Sequence, residues 1–153
     1  MVVVQAVAAP AWPRRWPDQH PLLERQHDRL EALLLELVQL HALDGPAWSG
    51  PETAAAEASC RRWLWDLRLH LRLEERWLAD HGCLCPGHRA AHRDGLTAAL
   101  SGFQRCGGDR PARLDWLAAL QAWFGEHRQG PDAMAYGLAA SNAKAPCARS
   151  PQP

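Results

Sequence analysis

The stretch CRRWLWDLRLHLRLEERWLADH, residues 60–81, decides the fold. Cys60, Trp63, Leu67, His70, Glu74, Trp77 and His81 recur at spacings of three and four, the period of one helix face. His70 and Glu74 stand one turn apart on that face and point the same way. A lone buried carboxylate costs on the order of several kcal/mol. The pair is therefore either solvated or holding something between its two side chains.

Proline and glycine divide the rest of the chain into similar segments. Asp44-Gly45-Pro46 ends the first, Gly50-Pro51 opens the second with proline in a first turn, and Gly82 closes it. Cys85-Pro86-Gly87 leads into a third that ends at Cys106-Gly107-Gly108, and Asp109-Arg110-Pro111 starts a fourth. The first segment places Leu23, His27, Leu30, Leu34, Leu37 and His41 on one stripe. The third gives His88, His92, Leu96, Leu100 and Phe103, and the fourth Trp116, Leu120, Trp123 and His127. Four amphipathic helices with short connections predict an all-α, up-down-up-down four-helix bundle. The expected layout is an irregular N-terminal arm over 1–17, a bundle over 18–138 and a disordered tail over 139–153.

Histidine interrupts all four stripes, and glutamate one of them. A metal on the bundle axis answers this, because it needs inward ligands from facing helices. The inward candidates are His27, His70 with Glu74, His88 with His92, and His127 with Asp132. His88 and His92 repeat the i, i+4 logic of His70 and Glu74, which brings two donor atoms from successive turns to one point. Glu75 turns about 100 degrees away from Glu74 and is expected to leave the site alone. His20 shares a face with His27 but precedes Pro21 at the helix mouth, so His27 is preferred; His41 and His81 read as structural or surface residues.

The ordered pattern resembles the hemerythrin family, in particular its stand-alone bacterial members. Gln26-His27, His70-Leu-Arg-Leu-Glu74, His88-Arg-Ala-Ala-His92 and His127-Arg-Gln-Gly-Pro-Asp132 match the family's four helix motifs. Trp16 and Trp123 match its arm and fourth-helix tryptophans, and the likeness spans about residues 16 to 136. Leu71 stands where an aromatic is usual, and Arg128 where an aliphatic is usual. His127 and Asp132 are five apart, about 500 degrees of α-helix, so they align only through a π-type widening or a helix end. Pro131, which lacks an N–H, suits either.

The resemblance implies two non-haem iron ions with an oxo or hydroxo bridge. One would take His88, His92 and His127, the other His27 and His70, with Glu74 and Asp132 bridging. Seven ligands exceed what one ion takes, and imidazole with carboxylate suits iron. The implied activity is reversible dioxygen binding at the open position, as a carrier, store or sensor and not as an enzyme. Leu30, Trp63, Leu67 and Leu71 are the expected walls of that pocket. The alternatives are a di-iron oxidase or iron- and peroxide-handling protein, and an interaction module with a structural metal. Ferritin-like sites use two Glu-x-x-His motifs, and only Glu24-x-x-His27 occurs here.

Composition agrees with one ordered domain. The 153 residues are 47% apolar and 22% charged, with eight tryptophans for a bulky core. Seventeen basic residues balance seventeen acidic ones, which gives no reason to expect nucleic acid. No apolar run approaches a membrane span, the start lacks a basic n-region, and the cysteines are five. These features predict a cytoplasmic monomer with free thiols and no membrane partner; a sensing role would need a separate signalling protein.

Overall fold

The computed structural model describes residues 20–144. The expected arm over 1–17, with Trp16, lies outside the described residues. Four long helices follow one another: α1 (His20–Ala42), α2 (Gly50–Asp80), α3 (Pro86–Cys106) and α4 (Arg110–His127). A five-residue π-helical turn, Arg128–Asp132, then leads into α5 (Ala133–Lys144). Backbone angles stay helical at His127, Arg128 and Ala133, so α4, the turn and α5 form one continuous helical path. No strand occurs among the described residues.

The helices start and stop where the chain marks them. Ser49 and Glu52 form a reciprocal capping box on α2, with Glu52 Oε2 accepting from the Ser49 N–H at 2.6 Å. Asp109 Oδ1 accepts from the Ala112 N–H at 3.0 Å at the head of α4. The Cys85 sulfur takes that role on α3, accepting from the His88 N–H at 3.3 Å. Gly82 and Gly107 follow α2 and α3 with φ of +67° and +52°, which only glycine adopts without strain.

α1 packs against α2 and α4, and α3 against α4 and α2, so the four neighbours close a ring around a shared interior. The α1 stripe is buried as the spacing predicts, from Leu23 to His41. On α4 the buried set is Arg113, Leu117, Leu120, Phe124 and His127, so Trp116 and Trp123 sit at the edge of the predicted face. On α3 Leu100 is exposed, while Ala99 and Gly102 are buried. Two close approaches explain both corrections. A Cβ on Gly95 would fall 2.1 Å from the Trp123 ring, and one on Gly102 2.5 Å from Trp116. The indoles of α4 occupy the space two glycines leave on α3, and Trp116 Nε1 donates to the Ala99 carbonyl at 3.0 Å.

The interior divides into two parts. Leu30, Leu34, Trp63, Leu67, Leu71 and Phe124 belong to the larger cluster. Leu23, Trp77, Leu78, Ala135, Tyr136 and Ala139 form a smaller one that seats α5. α5 runs past the boundary expected at 138, to Lys144, with Ala139 buried against this second cluster. Residues 145–153 lie outside the described residues. No described helix is long and apolar enough to cross a membrane.

Candidate metal centre

Between the two clusters, all seven candidate residues meet, and all are buried. They form two groups with ligand atoms within 4.8 Å of one another: Glu74, His88, His92, His127 and Asp132, and His27, His70 and Glu74. Each of the four long helices contributes, and Asp132 comes from the end of the π turn.

The two carboxylates are divided between the groups. Glu74 Oε1 lies 3.3 Å from His27 Nε2 and 3.7 Å from His70 Nε2, while its Oε2 lies 3.0 Å from His92 Nε2 and 3.8 Å from His88 Nε2. Asp132 Oδ2 lies 3.1 Å from His27 Nε2, and its Oδ1 2.9 Å from both His88 and His127 Nε2. All five imidazoles turn the same nitrogen, Nε2, to the interior.

Buried polar atoms are normally hydrogen-bonded. Here His27 Nε2, His70 Nε2, His127 Nε2 and Glu74 Oε2 make no hydrogen bond despite their close neighbours. Lone pairs that converge without donating to one another are the requirement of a cation, and this donor set fits one chemically.

Without a cation, burial pulls the His27 imidazole down, but the Asp132 and Glu74 carboxylates outweigh it and raise it to about 9. Burial lowers His70 to about 4. Burial pushes Glu74 up, yet His27 and His92 hold it at about 2, and the histidines around Asp132 keep that carboxyl well below its usual range.

A second layer holds the first. Gln26 Oε1 lies 2.8 Å from His70 Nδ1, so His70 donates from Nδ1 and keeps a lone pair on Nε2. Glu75 Oε1 does the same for His92 Nδ1 at 3.1 Å. This corrects the expectation that Glu75 leaves the site alone. A residue 100 degrees around α2 from Glu74 faces α3, where His92 presents its outer nitrogen. Tyr136, on α5, donates its buried hydroxyl to Glu74 Oε1 and stacks on His27 at 5.8 Å between ring centroids. Burial and then the Glu74 charge push that hydroxyl well above its ordinary range.

Arg128 reaches from the π turn to α1, pairing with Glu31 at 2.8 Å, Glu24 at 3.0 Å and Asp28 at 2.7 Å. These carboxylates flank His27, so Arg128 ties the turn carrying Asp132 to the helix carrying His27. Phe124 stands edge-on to His27 and His70, with ring centroids 5.9 and 6.4 Å away, between them and the larger cluster. Tyr136 and Phe124 were absent from the sequence reading. Tyr136 stands four after Asp132, a spacing that would have placed it beside the site; Phe124 was hidden by the neighbouring Trp123. His41 and His81 bond instead to the backbone carbonyls of Leu37 and Trp77, each at 2.7 Å, and are structural.

No protein-family model, no curated protein and no solved structure matches this chain.

Proposed function

We propose that this chain is a hemerythrin-like, up-down-up-down bundle that binds dioxygen reversibly at a non-haem di-iron centre, as a carrier, store or sensor. The observation that carries the reading is the division of Glu74 and Asp132. Each sends one oxygen to His27 and the other to the His88–His92 side. A carboxylate so placed could be shared between two cations. His88, His92 and His127 would hold one iron, and His27 and His70 the other, with Glu74 and Asp132 between them. The iron pair, when bound, supplies the two electrons that dioxygen binding requires.

The chain's own part is orientation and exclusion of water. Gln26 and Glu75 fix the rings of His70 and His92. Tyr136 holds Glu74 by its hydroxyl. Leu30, Trp63, Leu67, Leu71 and Phe124 are all buried in the larger cluster, and Phe124 stands edge-on to His27 and His70. A dry apolar wall keeps water and protons from the reduced site, which favours release of dioxygen over its further reduction.

The test is elemental and spectroscopic. Protein from iron-replete cells should carry about two irons per chain and little zinc. After anaerobic reduction it should gain a visible band on exposure to air and lose it when the gas is removed. One tight zinc and no iron would sink the reading; continuous dioxygen consumption with a reductant would replace it with the oxidase alternative.

A further inference from the structure

A hollow of about 210 Å³ opens between α1 and α2, with Gln26, Arg29, Arg62, Leu69 and His70 in its lining. His70 thus meets the outside through Gln26, whose side-chain oxygen receives its Nδ1–H at 2.8 Å. A second hollow, of about 170 Å³, shares Leu69 and adds Trp65, Arg68 and Arg72.

The rim is apolar at its centre and cationic around it. Trp65 is 66% exposed and Leu69 48%. Arg29, Arg62, Arg68 and Arg72 surround them, and all four are exposed. Asp66 is the one acid in either lining and is already 3.6 Å from Arg62. An exposed indole and leucine ringed by arginines, in a chain of zero net charge, form a local feature and not a general basicity.

The geometry points to this face as the docking site of an acidic one-electron carrier protein, which delivers electrons to the centre through His70. The inference rests on the di-iron reading. Two encounters, each oxidising one carrier by one electron, return a pair of ferric ions to the ferrous state. Charge complementarity selects the occupant: clustered arginines steer an acidic surface and reject a basic one. The small apolar centre suits the brief contacts of electron-transfer pairs, which bury under about 1,200 Å² in all.

The test uses the full-length, iron-loaded, oxidised protein and a reduced plant-type [2Fe–2S] ferredoxin as the acidic probe. The second-order reduction rate should fall at least about tenfold between low and high salt. Arg68→Glu with Arg72→Glu should lower it about tenfold at low salt, while Arg105→Glu, near the end of α3, should stay within about twofold. A separate arm reads the surface without electron transfer. Redox-inert hexacyanochromate(III) should quench the Trp65 fluorescence, and the double reversal should weaken that quenching. Rates indifferent to the double reversal, or equally lowered by Arg105→Glu, overturn the docking site, as does quenching that the reversal leaves unchanged. Protein found without iron overturns the di-iron reading instead, and the quenching arm still judges the surface.

Discussion

Glu75 gives the sharpest test of how the centre is built. Its Oε1 accepts the Nδ1–H of His92 at 3.1 Å, and its side chain is 30% exposed. Removing it as Glu75→Ala leaves His92 in place but frees its ring to rotate and lowers its basicity. Losses of this kind reduce metal affinity by about 10- to 100-fold, or about 1.4 to 2.7 kcal/mol. The partial exposure of Glu75 lets water replace the lost acceptor in part, which puts the expected loss near the lower end. Glu75→Gln keeps a side-chain oxygen and should lose less. Glu74→Ala removes the shared carboxylate and should abolish tight binding. The assay is anaerobic titration of the metal-free proteins with ferrous ion against a competing chelator. A Glu75→Ala protein within about twofold of wild type refutes the argument, as does a Glu74→Ala protein that binds as well as Glu75→Ala.

Three more outcomes follow from the same geometry. In the metal-free protein His27 is raised from 6.5 to about 9, so its stabilisation is complete below pH 6.5 and is lost as pH rises through 9. That raise is worth about 3 kcal/mol, read by denaturant unfolding at pH 6 and 9.5; an equal loss in His27→Gln would show that another group is responsible. Gly95→Ala should destabilise by about 1–3 kcal/mol and alter the spectrum of the loaded site, since its Cβ displaces Trp123 from the His127 ring it stacks on at 5.2 Å. Gly125→Ala, with nothing within 4 Å, should instead stabilise by up to about 1 kcal/mol in the same thermal or denaturant melts.

Residues 65–73 show why part of the fold was legible and part was not. Trp65, Leu67, Leu69, Leu71 and Leu73 alternate with polar residues, a pattern that alone fits a strand. Leucine favours helix, the run is flanked by Trp63 and Trp77 at helical intervals, and Ser49-Gly-Pro-Glu52 caps it, so the helical reading holds. The alternation arises because Trp65 and Leu69 face outward. Periodicity reports which residues share a face, and it cannot tell an apolar residue kept for packing from one kept for contact. Spacing within one helix brought His70 to Glu74 and His88 to His92. Glu75 and Tyr136 needed the neighbouring helices, because their partners lie 17 and 62 residues away.

The five-residue interval between His127 and Asp132 joins sequence to chemistry most directly. In a regular α-helix Asp132 would point well to one side of His127. The structure widens that stretch into a π turn, and Asp132 Oδ1 comes to 2.9 Å from His127 Nε2 while Oδ2 reaches His27. Pro131 has no N–H to offer the α-helical ladder, so the cost of breaking the ladder falls where one bond is already missing. Arg128 supplies what proline cannot, a tie from the turn to three carboxylates on α1. The arginine at a position where the resemblance leads one to expect an aliphatic residue is then no defect in the pattern. It fixes the widened turn against the helix that carries His27, and so sets the distance across which Asp132 works.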